Sequence, residues 1–229
     1  MSFLASCSSP CTLRRATPPP RIPCHPGHSL AGSDRLVSNN SKFALGFFKP
    51  GNESSSYTNH NSYLGIWFNK VSKLTPLWTA NGENPVVDPT SPELAISGDG
   101  NLAILDHATK SIIWSTRANI TTNDTIAVLL NNGNLVLRSS SNSSNIFWQS
   151  FDYPTDTLFA GAKIGWDKVT GLNRRLVSRK SSVDQAPGIF SLELGLNGGG
   201  SSAMELNCGV LVQWGLERPI LRPSARDDR

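Results

Sequence analysis

The chain holds only four cysteines, Cys7, Cys11, Cys24 and Cys208, and all of them lie near its ends. No cysteine stands between Cys24 and Cys208, so whatever folds in the middle must do so by packing, without a disulfide framework. Cys7-x3-Cys11 lacks the partner ligands that a zinc site requires, and His25, His28, His60 and His107 are scattered through polar stretches with no ligand spacing. Long apolar runs are missing too: they end after three to six residues. A membrane helix needs roughly 18 to 20. There is no Gly-x-Gly-x-x-Gly loop, no His-Arg-Asp and no Asp-Phe-Gly, so nothing present can position a nucleotide for phosphoryl transfer. Gly198-Gly-Gly200 follows no strand pattern and does not make a phosphate loop.

A concentrated positive charge is absent as well. The formal net charge is +4, but residues 1–27 carry Arg14, Arg15 and Arg21 with no acid. Four arginines after residue 197 are balanced by Glu205, Glu217, Asp227 and Asp228. The middle is left with 14 basic and 13 acidic residues, which excludes the basic stripe expected of a nucleic-acid-binding surface.

What is present is a series of short apolar segments broken by Gly, Asn, Pro and Ser. Among them are Lys42-Phe-Ala-Leu-Gly-Phe-Phe48, Tyr63-Leu-Gly-Ile-Trp-Phe68, Asn101-Leu-Ala-Ile-Leu105, Ser111-Ile-Ile-Trp114, Ile126-Ala-Val-Leu-Leu130 and Asn134-Leu-Val-Leu137. Many short strands joined by tight turns predict an all-β fold. The segments also repeat. Trp78, Trp114 and Trp148 stand 36 and 34 residues apart, and in the last two units a Gly-Asn pair, Gly100-Asn101 or Gly133-Asn134, opens the strand before the tryptophan. Glycine supplies the positive φ such a turn needs and asparagine tolerates the bend. Rings recurring at one structural position can meet on a shared axis and fill it. Trp67 is assigned to a more diverged first unit.

This pattern resembles the bulb-type (mannose-binding monocot) lectin family. The likeness extends to Phe43-Ala-Leu-Gly-Phe-Phe48, Leu64-Gly-Ile-Trp67, Trp78-Thr-Ala-Asn81 and Trp148-Gln-Ser-Phe-Asp-Tyr-Pro-Thr-Asp-Thr157. The last of these is similar to the segment that closes the lectin module in plant S-domain receptor-like kinases and S-locus glycoproteins. The resemblance implies a β-prism II of three four-stranded sheets with pseudo-threefold symmetry, over residues 27–153. Residues 154–197 would begin an S-locus-glycoprotein-like region, with residues 1–26 and 198–229 as atypical, disordered ends. It also implies an extracellular or plasma-membrane location, no cofactor, and mannose-type glycans, protein partners or a second copy as possible ligands. Five Asn-x-Ser/Thr sequons, at Asn39, Asn52, Asn119, Asn123 and Asn142, agree with the secretory pathway.

Lectins of this family bind mannose through Gln-x-Asp-x-Asn-x-Val-x-Tyr, in which alternate side chains of one strand line a shallow groove. Here the first copy is Ser97-x-Asp99-x-Asn101-x-Ala103-x-Leu105 and the second is Leu130-x-Asn132-x-Asn134-x-Val136-x-Arg138; no convincing third copy exists. Asp99, Asn101, Asn132 and Asn134 are the residues available to a sugar, and they are equally the residues a turn would use for its own backbone. The expectation is a module that binds sugar weakly or not at all, or serves as an interaction scaffold. The alternative is a truncated product of a receptor-like serine/threonine kinase gene. Asp152 and Asp156 are close in sequence, but a spacing of four residues sets no facing geometry for a glycosidase pair.

The ends read differently. Residues 1–26 offer Pro18-Pro-Pro20 and paired arginines without the 7- to 15-residue apolar core of a signal peptide. One base out of register, codons for Arg21-Ile-Pro-Cys-His-Pro26 can spell Asp-Thr-Val-Ser-Pro. Codons from Met204 onward can spell Trp-Ser-Ser-Gly-Asp-Trp-Asn-Gly, as relatives of this type carry. The expectation is that both ends are out of frame; sequencing the transcript decides it.

Overall fold

The structure is a computed structural model that describes residues 24–51, 61–87, 92–107, 109–122, 124–196 and 202–208. Residues 1–23, most of the tail, Asn52, His60 and Asn123 lie outside the described residues. Among the described residues sixteen strands follow in chain order: β1 (Leu30–Ala31), β2 (Arg35–Val37), β3 (Phe43–Phe48), β4 (Tyr63–Phe68), β5 (Pro76–Thr79), β6 (Pro92–Ile96), β7 (Leu102–Asp106), β8 (Ser111–Ser115), β9 (Thr125–Leu129), β10 (Leu135–Ser139), β11 (Ile146–Gln149), β12 (Gly165–Trp166), β13 (Asn173–Arg174), β14 (Leu176–Arg179), β15 (Pro187–Leu196) and β16 (Ser202–Cys208). Among the described residues a single 3-10 turn occupies Ser150–Asp152.

Three antiparallel sheets form the prism. Sheet I is β2-β3-β4-β5, sheet II is β1-β6-β7-β8 and sheet III is β11-β10-β9. Sheet III has three strands where four were expected; Cys24, bridged to Ala127 of β9, takes the fourth place with one residue. The stretch that precedes the prism therefore runs past all three sheets, touching III at Cys24, II through β1 and I through β2.

The repeat becomes geometry at one register position. Ile66 pairs with Trp78, Ile104 with Trp114 and Leu137 with Trp148, and in every sheet the register shifts immediately after that pair. The extra residue is the one before each tryptophan: Leu77, Ile113 and Phe147. A bulge at this point bends the strand and re-aims the next side chain. All three tryptophans turn inward. Their ring centroids lie 6.0, 6.0 and 5.8 Å apart at interplanar angles of 75°, 64° and 77°, the edge-to-face arrangement that the ring quadrupole favours. Trp67 belongs to sheet I as expected, but on its outer face, in a second buried cluster with Val37, Ala44, Phe48 and Tyr63.

Around the triad the sheets contribute matching layers. Leu45, Leu64 and Ile66 come from sheet I, Leu94, Leu102 and Ile104 from sheet II, and Leu129, Leu135 and Leu137 from sheet III. Each fully buried side chain of this kind stabilises the fold by roughly 1.5–3 kcal/mol. The two Gly-Asn turns form as the sequence predicts, with φ of 81° at Gly100 and 87° at Gly133. Gly133 is required twice over, because a Cβ there would also lie 2.6 Å from the Phe159 ring.

Residues 153–163 then fold back over the open end. Tyr153 stacks on Trp148 at 5.5 Å and its carbonyl accepts the indole N–H of Trp78 at 2.8 Å. The segment thereby caps the triad. The remaining strands make the β12–β13 hairpin and the sheet β14-β15-β16. β16 pairs with β15 along all seven of its residues, from Ser202 to Cys208, within the part of the tail expected not to belong. Such pairing uses main-chain groups alone, which every reading frame supplies, so it does not distinguish one frame from another. The β12–β13 turn is held by Asp167, which accepts from the backbone N–H groups of Val169 and Thr170 and pairs with Arg174 at 3.1 Å. The Thr170 and Val169 amides, with Arg174, pull its carboxyl from 3.8 to about 2. A depressed carboxyl contributes fully above its unfolded value and loses that contribution as pH falls through its folded one. The Val169 and Thr170 amide signals should hold at pH 4 and shift together toward pH 2; movement already complete at pH 4 would contradict this account.

Candidate functional site

The first sugar-motif copy lies on the turn from β6 to β7. Asp99 is exposed and Asn101 is buried, at 5 % exposure. The Asp99 carboxylate accepts from the Ser97 hydroxyl, from the Asn101 backbone N–H at 3.1 Å and from the Asn101 amide at 3.0 Å. These donors hold its pKa below the usual carboxylate value, the Ser97 contact first. Asn101 Oδ1 accepts from Thr116 Oγ1 and from the Ala118 N–H, both at 2.7 Å, and Nδ2 donates a second bond to the Ala118 carbonyl at 3.3 Å. A side-chain amide has two donors and two acceptor sites. Asn101 directs all four into its own turn and the chain leaving β8.

The second copy repeats the plan with other partners. Asn134 Nδ2 donates to Gln149 Oε1 at 2.8 Å, while Oδ1 accepts from Ser150 Oγ at 3.1 Å and from the Phe151 N–H at 3.2 Å. Ser150 Oγ in turn accepts from the Leu135 N–H, as Thr116 Oγ1 does from Leu102. Gln149 passes the chain of bonds to Asp152 at 3.1 Å. Asn132 is exposed and accepts from the Asn134 N–H. The structure thus brings Asp99 to Asn101 and Asn132 to Asn134, as two turns on separate sheets.

Sheet I shows why a third copy is illegible. By register to the axial tryptophan, Tyr63, Gly65 and Trp67 stand where Asn101, Ala103 and Leu105 stand in sheet II. Tyr63 is fully buried and Trp67 nearly so, with the Arg35 guanidinium 5.4 Å above the Trp67 ring. The backbone role of Thr116 and Ser150 passes to Asn81, whose Oδ1 accepts the Leu64 N–H at 2.8 Å. Sequence reasoning missed this role. Its signal is the asparagine three residues after Trp78, where the other units have Thr or Ser two residues after theirs.

The other candidates are engaged elsewhere. Asp152 pairs with Lys163 at 2.5 Å and Asp156 with Arg179 at 2.8 Å, so each carboxylate of this pair has its own cation. His107 contacts Glu93. Among the described residues no group of three or more His, Cys, Asp or Glu could hold a metal ion, and no helix is long and apolar enough to cross a membrane. Asn39, Asn119 and Asn142 are exposed.

Comparison with known proteins places these features in context. The D-mannose binding lectin family matches residues 75–180. Over 170 residues, 72% of this chain, the sequence is 45% identical to a G-type lectin S-receptor-like serine/threonine-protein kinase of Arabidopsis thaliana, of which it covers 20%. It is 46% identical over 171 residues to the S-locus-specific glycoprotein S6 of Brassica oleracea and covers 37% of that protein. The chain thus spans well under half the length of these curated relatives. Two solved structures also match: the Japanese Marasmius oreades lectin (18% identity, 56% of this chain and 87% of that one, TM-score 0.39) and a monomeric monocot mannose-binding lectin from Gastrodia elata (18% identity, 55% and 92%, TM-score 0.38).

Proposed function

The chain carries a bulb-type lectin domain of the kind shared by G-type lectin S-receptor-like kinases and S-locus glycoproteins, and from that premise we propose that it works as a non-catalytic extracellular interaction scaffold with little or no affinity for mannose. One observation carries this reading: every hydrogen-bonding site of the Asn101 amide is spent inside the protein. A sugar hydroxyl would have to displace one of these bonds, and an exposed replacement nets only about 0.5–1.5 kcal/mol. Asp99 keeps an outward carboxylate but has Ala103 and Leu105 for neighbours along the motif, so few convergent groups remain. The lectin domain runs over 27–153 on this reading. The residues from 154 begin the S-locus-glycoprotein-like region that caps it. The likeness to receptor-like kinases and S-locus glycoproteins supports an extracellular or plasma-membrane location, as do the exposed sequons at Asn39, Asn119 and Asn142.

A glycan array and calorimetric titration with methyl α-mannoside test the proposal on the full chain. No saturable heat is expected, and Asp99→Ala should leave the array profile unchanged. Saturable mannose binding that disappears in Asp99→Ala would replace the scaffold with a lectin.

A further inference from the structure

Away from the Asp99 turn and against the second motif turn, an open groove of about 470 Å³ lies between sheet I, the β9–β10 turn that carries Asn132, and the cap. Its floor is aromatic. Phe43 and Phe68 lie 5.2 Å apart, and Phe159 meets Phe43 edge-on at 5.5 Å. One wall is Lys42, whose ammonium stands 5.4 Å from the Phe43 ring and 5.9 Å from the Phe68 ring. The facing walls bring Asn132 from the turn and Thr157 with the exposed Leu158 from the cap.

The chemistry of these walls is unbalanced. Among the described residues the exposed Lys42 forms no ion pair, the Nδ2 of the exposed Asn132 donates no hydrogen bond and the Thr157 hydroxyl has no partner, so a cation and two neutral polar groups at the rim of the groove are open to solvent and to a ligand. The rings attract the ammonium but do not neutralise it. The groove has the size of a small-molecule site, with a mainly apolar lining and few polar groups that would fix orientation. Neutral sugars lack the charge that Lys42 would complement, and a purely apolar guest would leave it and Asn132 unanswered.

We propose that this groove binds a small apolar carboxylate, a ring or short hydrocarbon chain bearing one carboxyl group. The hydrocarbon lies on Phe68 and Leu158, and the carboxylate accepts from Lys42 Nζ and Asn132 Nδ2. The site is separate from the Asp99 and Asn101 turn and holds whether or not mannose binds there. It also gives Leu158 a purpose in an exposed position, because it extends the apolar wall over the guest.

The test titrates 4-phenylbutyrate, and its uncharged amide 4-phenylbutyramide, into the full isotope-labelled chain while backbone amide shifts are followed. The acid should give saturable shifts confined to residues around Lys42, Phe68, Asn132 and 157–160, and the amide should bind about tenfold more weakly, the effect of losing one charge-assisted bond. Lys42→Met should weaken the acid by a similar factor and leave the amide unchanged. Leu158→Asp, a surface change that removes the apolar wall and brings a carboxylate to the groove of Lys42, should weaken both ligands, the acid more than the amide, with an unaltered melting temperature. Absence of saturable shifts, shifts centred elsewhere, or acid and amide binding equally to the unmodified chain would each overturn the proposal. That last comparison needs no variant to fold.

Discussion

Trp148→Ala is expected to destabilise the chain by about 4 kcal/mol, as read from urea unfolding. The ring touches two partners in the triad and stacks on Tyr153 at 5.5 Å, while only 6 % of the residue is exposed. Its removal opens a hole where three sheets converge, and no single sheet can relax into it without leaving the other two. The cap loses its stacking partner in the same step, so the Tyr153 carbonyl to Trp78 bond should weaken as well. Trp166→Ala serves as the control. That tryptophan is 54 % exposed in the β12–β13 hairpin, and its loss should stay within about 0.5 kcal/mol. Equal losses in the two variants would mean that the axial triad has no special part in stability.

The second large effect is expected at Asn134. Asn134→Ala removes the acceptor of the Ser150 hydroxyl and of the Phe151 N–H, both buried, together with the donor to the half-buried Gln149. Leaving such groups unpaired costs about 3 kcal/mol in sum. Asn134→Asp keeps the two acceptor contacts and loses only the donor, so it should fall between alanine and the unmodified chain. Asn132→Ala, at an exposed turn position, should lose less than about 1 kcal/mol. If both asparagines proved equally tolerant, the buried amide would not be the structural strut described here.

These two residues show how far the amino-acid pattern could be read. The spacing of Trp78, Trp114 and Trp148 was enough to predict rings meeting on an axis, because recurrence at one structural position forces symmetry-related side chains together. Gly100 and Gly133 were legible for a similar reason: a left-handed φ has few other occupants. The bulged residues Leu77, Ile113 and Phe147 were not, since a bulge depends on the partner strand and leaves only an apolar residue behind. Asn101 was legible as a motif residue but not as a saturated one. Its partners Thr116 and Ala118 follow β8 and reach it only when sheet II closes. The groove was invisible for the same cause at longer range, as Lys42 and Leu158 stand more than a hundred residues apart in sequence.

The lacing of 24–37 across the three sheets has a consequence for the order of events during synthesis. Cys24 is made long before Ala127, its partner, and β1 before β6. Contacts this distant in sequence slow closure, because the intervening loop must be ordered before they reward it. A ribosome-bound chain that has emerged only through β5 holds sheet I with one face bare and a leading segment still waiting for two of its three hosts. The prism can therefore lock only after β9 to β11 and the Tyr153 cap have arrived, which makes residues 125–153 the part that commits residues 24–37 to their place.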